Sequence, residues 1–226
     1  MTFLQYSISL FLGPFLAGLI FLLIYRKRGR DRYQKLITSF IWGMFSIVVV
    51  TLFQYIAYNY GLHPEKNLRQ NIFYSFMVIG IGSELGKYIV LRYIYFPKDT
   101  FKGPIDGIVY SVFISMGFAT IANILYFTLP FFKEISFSYS ITMVISNLFI
   151  AVIMGFFVGI AKSRNNKFVD SLTGLFGAAF FHALYSFCSI AHDYKLLLFL
   201  SIGTFIIVIL LYYKAFELNE ERKRNG

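Results

Sequence analysis

Glu84 and Lys87 could do chemistry where little is expected, three positions apart in the apolar stretch Gly80-Ile81-Gly82-Ser83-Glu84-Leu85-Gly86-Lys87. At that spacing a carboxylate and an ammonium share one face of a helix. In hydrocarbon each charge is costly, so the pair must meet a partner or a polar cavity rather than lipid. Gly82 and Gly86 form a small-xxx-small pair that lets another helix come close beside the charged face. Two readings stand side by side: the floor of an intramembrane site, or an ion pair that fixes helix packing. Three more polar residues lie deep in apolar runs: Asn123, Asn147 and His182. Counting ~1.5 Å per residue from the expected cytoplasmic ends puts Glu84, Asn147 and His182 at roughly 18–22 Å and Asn123 at about 27 Å. Polar residues from four helices at one level point to a shared chamber, although any one buried Asn or His is more readily explained by an interhelical hydrogen bond. His63 and His192 fall between apolar runs and are expected in solvent.

The elements that must position these residues are apolar runs at Phe3–Tyr25, Leu36–Tyr60, Ile72–Phe96, Ile105–Leu129, Tyr139–Ala161, Phe168–Ile190 and Leu196–Phe216. Each is about the length that crosses a bilayer as a helix. Tyr55, Tyr58, Tyr60, Tyr93, Tyr95, Tyr212 and Tyr213 crowd the run ends, as interfacial aromatic belts do. Apolar residues make up 58% of the chain and charged ones 14%, and the mean hydropathy is +0.66. Those values lie well outside the usual soluble range and define an all-α, polytopic integral membrane bundle of about seven transmembrane helices. The 226 residues form a single transmembrane domain, with Glu217–Gly226 a charged cytoplasmic tail expected to fray. The first run is expected to stay as a helix and not be cleaved as a signal peptide. Cys188 is the only cysteine, which excludes a disulfide framework and a cysteine metal site.

The net charge of +10 does not point to nucleic acid, because the basic residues fall between the apolar runs. There they act as topology signals and contacts for anionic lipid. Alternate loops and the tail carry sixteen Lys and Arg: Arg26, Lys27, Arg28, Arg30, Arg32, Lys35, Arg92, Lys98, Lys102, Lys162, Arg164, Lys167, Lys214, Arg222, Lys223 and Arg224. The opposite loops carry four, Lys66, Arg69, Lys133 and Lys195. The bias puts the N-terminus outside and the C-terminus in the cytoplasm. The sequence shows neither an internal repeat nor a proline-broken span, which counts against a transporter.

The order of motifs is similar to that of the PrsW family of intramembrane proteases, relatives of the CAAX-prenyl protease and bacteriocin-immunity group. The likeness covers about 73–187. It is carried by Ser83-Glu84-Leu85-Gly86-Lys87, by Asp106-Gly107-Ile108-Val109-Tyr110 leading to Gly117-Phe118-Ala119-Thr120-Ile121-Ala122-Asn123-Ile124-Leu125-Tyr126, and by Phe181-His182-Ala183-Leu184-Tyr185-Ser186. The resemblance implies a helical core in the bacterial cytoplasmic membrane with catalytic residues inside the bilayer. It also implies four departures. Ser83 stands where the family's Glu-Glu-x-x-Lys has its first glutamate, and Ala122 where Phe-x-x-x-Glu-Asn has its glutamate. Asn147 stands where many members have a histidine, and Ser186 where His-x-x-x-Asp has its acid.

Hydrolysis of a peptide needs a base for water and either donors or a metal for the oxyanion. A catalytic zinc needs three protein ligands and one open position. Glu84 and His182 remain, with Asn123 and Asn147 as weak amide donors, so no metal or other cofactor is expected. The reading is a PrsW-like protein with a degenerate centre, lined by Lys87, Asn123, Asn147, Ser83, Ala122 and Ser186, that binds a single-span membrane protein without cutting it. The alternative is an active endopeptidase with Glu84 as base and His182 as its partner, acting on a substrate such as an anti-sigma factor. Zinc enters only with that alternative.

Overall fold

The computed structural model describes residues 3–25, 31–64, 66–128 and 137–224. Arg26, Lys27, Arg28, Arg30 and Lys133, the run end at Leu129 and the last two residues lie outside that set. Seven continuous helical rods run through the described residues, and no strand is found among them. α1 is Phe3–Tyr25. α2 spans 31–59, as Asp31–Phe45 and Ile47–Asn59 joined at Ser46. α3 spans 68–95 in four successive segments. α4 is Pro104–Thr128, α5 is Phe137–Ile160, α6 is Lys167–Ile190 and α7 is Tyr194–Arg224.

α4 is the axis of the bundle, packed on α1, α2, α3, α5 and α7. Its closest neighbour is α5, because glycines remove the side chains that would hold the two rods apart. A Cβ on Gly107 would run into the Gly155 carbonyl oxygen, and one on Gly159 would meet the Pro104 Cα at 2.5 Å. Gly107→Val is therefore expected to lower stability by about 1–3 kcal/mol through forced separation. Denaturant titration in mixed micelles measures it, and an unchanged midpoint would mean that the rods can part at no cost.

The outside of the bundle is apolar. Phe199 and Tyr213 on α7, Phe11 and Phe15 on α1, and Val48 and Tyr55 on α2 are all more than half exposed. Five of the helices are long and apolar enough to cross a membrane: Tyr33–Asn59 within α2, α4, Tyr139–Ile160 within α5, α6 and α7. Such surfaces suit lipid, and the chain is an integral membrane protein. Pro14 stands inside α1 without breaking it.

α3 departs from a plain helix. Tyr74–Ile81 and Val90–Tyr95 are wound as π-helix on either side of the α-helical Gly82–Ile89. Such widened turns change which residues face inward, and they often occur at functional sites. No sequence signal announced them. Gly82 and Gly86 let α2 close in at Val50, Phe53 and Ser46, while Gly80 does the same for α6 at Ala179. The α-helical segment is held from two sides, with Glu84 and Lys87 turned into the bundle.

Among the described residues the tail is helical. α7 continues to Arg224, braced by Lys214–Glu217 at 2.8 Å and Lys223–Glu220 at 2.6 Å, both at a helix-supporting spacing. Arg222 donates to the Lys102 carbonyl and to Asn219. Lys162 donates to the Phe96 carbonyl at 2.7 Å. The loops after α3 and α5 and the end of α7 therefore meet at one end of the bundle. Burial first, and then the nearby Lys35 charge, hold the Lys98 ammonium below its ordinary pKa at that same end. A reporter fused after residue 226 should accordingly be cytoplasmic and one near His63 external. A cytoplasmic signal near His63 would overturn the orientation.

Candidate intramembrane site

Glu84, Lys87 and Asn147 are fully buried or nearly so, and His182 is 6% exposed. Lys87 lies one helical turn after Glu84 and donates its ammonium proton to Glu84 Oε1. The same ammonium reaches α5, where Asn147 Oδ1 accepts at 2.7 Å, and lies 4.8 Å above the Phe118 ring of α4. Asn147 Nδ2 then donates to the Met143 carbonyl at 2.8 Å, which fixes the amide with its oxygen toward the lysine. From α6, His182 places Nδ1 2.6 Å from the same Glu84 Oε1. A carboxylate there accepts, so the ring proton sits on Nδ1 and Nε2 carries the lone pair. Side chains from four helices thus gather around one buried ion pair. The positive charge that neutralises the carboxylate is bonded directly, as a buried ion requires.

Asn123, expected at the same level, lies elsewhere. Its Nδ2 donates to the Ser9 carbonyl at 2.7 Å, and Ser9 and Ser140 share a hydroxyl hydrogen bond at 2.7 Å. This amide ties α1 to α4 and does not join the Glu84 cluster.

Beside the cluster is a cavity of about 360 Å³ between α2, α3, α4, α5 and α6. Ser83, Ala122, His182 and Ser186 all line it, whereas Glu84, Lys87, Asn123 and Asn147 do not. The carboxylate can act on the cavity only through the imidazole. Tyr185 OH, Ser186 Oγ and Glu84 Oε2 are buried without a hydrogen-bond partner among the described residues. The sequence reading missed the hydroxyl stripe. His182, Tyr185, Ser186 and Ser189 fall at i, i+3, i+4 and i+7 on α6, a spacing that marks one helical face.

The chain is thus an all-helical membrane bundle with an acid–imidazole pair beside a cavity. Residues 31–213 match the family model described as PrsW family intramembrane metalloprotease, and the chain belongs to the PrsW family. It is 32% identical over 165 residues to the protease PrsW of Geobacillus kaustophilus, covering 73% of each chain. To the protease PrsW of Bacillus subtilis it is 32% identical over 138 residues, covering 61% of this chain and 63% of the relative. To that of Clostridioides difficile it is 26% identical over 162 residues, covering 68% and 65%. No solved structure was found to match.

The family description implies a metal, but the donors present do not fit one. No three His, Cys, Asp or Glu side chains converge among the described residues. Glu84 Oε1 is already shared by an ammonium and an imidazole, and the Lys87 cation lies between the carboxylate and the Asn147 oxygen. A divalent ion would have to displace that charge and would still have only one carboxylate and one imidazole nitrogen.

Proposed function

We propose that this chain keeps the PrsW fold but not its peptidase chemistry, and holds a segment of a transmembrane partner in the cavity without hydrolysing it. One observation carries the reading. Ser83, Ala122 and Ser186, the positions where the resemblance implies Glu, Glu and Asp, line the same cavity as His182. No Asp, Glu, Lys or Arg is among the residues that line it. His182 is left as a lone base, backed by Glu84. One positioned general base contributes about 10²–10⁴ in rate, against roughly 10⁶ or more for an enzyme as a whole.

The alternative reading, an active endopeptidase, has one geometric feature in its favour. The Glu84–His182 contact at 2.6 Å orients an imidazole with a free lone pair, as a general base is oriented. A turnover assay decides between them. Purified protein in vesicles, incubated with single-span peptides, is expected to leave them intact. If peptides are cut and Glu84→Gln stops the cutting, the endopeptidase reading takes its place.

A further inference from the structure

Two cations at the cytoplasmic end of the bundle are drawn together with nothing to neutralise them. Lys35 stands near the start of α2, Lys98 in the turn that follows α3, and both are half-buried. Tyr95, the last residue of α3 and fully buried, links them. Lys98 Nζ lies 4.3 Å from the centre of the Tyr95 ring. The Tyr95 hydroxyl donates to Thr38 Oγ1 at 3.0 Å, and Thr38, one turn after Lys35, donates to the Lys35 carbonyl at 3.0 Å. Stacking on Tyr110, with ring centres 4.9 Å apart, holds Tyr95 in turn. Burial, and after it the Lys35 charge, keep the Lys98 ammonium below its ordinary pKa, so the two cations sense one another.

Neighbouring cations at this end are satisfied. Lys162 donates to the Phe96 carbonyl and Arg222 to the Lys102 carbonyl. Lys35 and Lys98 differ. Neither ammonium meets a carboxylate among the described residues, and Asp99, beside Lys98, forms no ion pair there either. Like charges held together repel, and a half-buried charge needs a counter-charge. An anion seated between the two supplies it.

The surface beyond the lysines says what carries that anion. Lys35, Thr38, Trp42 and Phe45 fall at i, i+3, i+7 and i+10, one stripe of α2. Trp42 and Phe45 are 46% and 64% exposed and meet edge to face, with ring centres 6.1 Å apart. At about 1.5 Å per residue, Trp42 stands about 10 Å and Phe45 about 15 Å deeper in the membrane than Lys35. Ammonium, hydroxyl, indole and phenyl ring follow one another in the order in which a phospholipid presents its phosphate, glycerol and acyl chain. A free phosphate would leave the aromatic half of that stripe unused.

We propose that Lys35 and Lys98 clamp the phosphate of one anionic phospholipid, whose acyl chain lies along Trp42 and Phe45. Net negative charge selects the lipid, because a zwitterionic headgroup brings its own ammonium against the two lysines. The site lies apart from the Glu84 cluster and does not depend on what the cavity holds.

Trp42 is the only tryptophan in the chain, so its fluorescence reports on this stripe alone. The test places the full chain in phosphatidylcholine vesicles in which a minor fraction of the lipid carries bromine on its acyl chains, as phosphatidylglycerol or as phosphatidylcholine. Brominated phosphatidylglycerol is expected to quench Trp42 with an affinity about tenfold above that of brominated phosphatidylcholine. Lys35→Gln with Lys98→Gln should bring the two lipids level, while Lys35→Arg with Lys98→Arg should keep the preference. Lys167→Gln with Arg224→Gln removes the same charge from the same end and should leave the preference unchanged. The two-lipid comparison on the unmodified chain and this control stand whether or not the glutamine variant folds. Equal quenching by both lipids on the unmodified chain would overturn the site. A preference lost equally in both charge-removing variants would overturn it too, as general attraction of a basic surface to an anionic bilayer. Loss of the preference on adding inorganic phosphate at constant ionic strength would make a free anion the ligand and overturn the lipid.

Discussion

Ser83→Glu, Ala122→Glu and Ser186→Asp combined are expected to create a stoichiometric zinc site. All three positions line one cavity with His182, so the new carboxylates would converge on an imidazole nitrogen that is already free. Three acids in an uncharged wall repel one another and are poorly solvated, so the metal-free variant should be less stable than the parent. Zinc should reverse that loss, because a ligand at about 100 times its dissociation constant stabilises the folded state by about 2.7 kcal/mol. Metal analysis and thermal unfolding with and without zinc measure both effects. The structure refines the expectation at one position. Asn147 is bonded to Lys87 and lies outside the wall, so adding Asn147→His should contribute little. If the triple variant binds no zinc while the quadruple variant does, the ligand set lies on the Lys87 side and the cavity has been misjudged.

Lys87→Ala is expected to be the most damaging single change in the chain. It strips Glu84 Oε1 of its only full positive charge and leaves Asn147 Oδ1 without a donor. Removing one partner of a buried pair costs about 3–5 kcal/mol, because the other charge stays behind. Glu84→Gln with Lys87→Met removes both charges together and should cost clearly less, although His182 then loses its carboxylate. Unfolding in mixed micelles gives the comparison. A double variant less stable than either single change would mean that the two groups do not neutralise one another.

Much of the fold was legible in the residues. Seven apolar runs of bilayer length correspond to seven rods, because a spanning helix must satisfy its backbone internally and show apolar side chains outward, and both demands act residue by residue. The i,i+3 spacing put Glu84 and Lys87 on one face, and neutralisation of a charge in hydrocarbon left them little choice but each other. The PrsW resemblance likewise rested on local motifs, and the family match extends across 31–213. Helix continuation through the tail was legible in principle from the Lys214–Glu217 and Glu220–Lys223 spacing.

What only the tertiary structure decided is which polar residue meets which. Depth along a helix says nothing about rotation. Asn123 and Asn147 looked alike in sequence, yet one holds Ser9 and the other Lys87. The π-helical turns of α3 add further rotation that no residue pattern announced. The separation of the charged cluster from the cavity has the same origin. Ser83 and Glu84 are adjacent in the chain, but successive residues on a helix point about 100° apart, so one lines the cavity and the other does not. Chain order fixed the inventory of groups. The packing of α2, α4, α5 and α6 around that one turn of α3 determined that the polar groups of a mostly apolar cavity wall are one imidazole, the Gln54 amide and hydroxyls, with the carboxylate of the cluster held behind them.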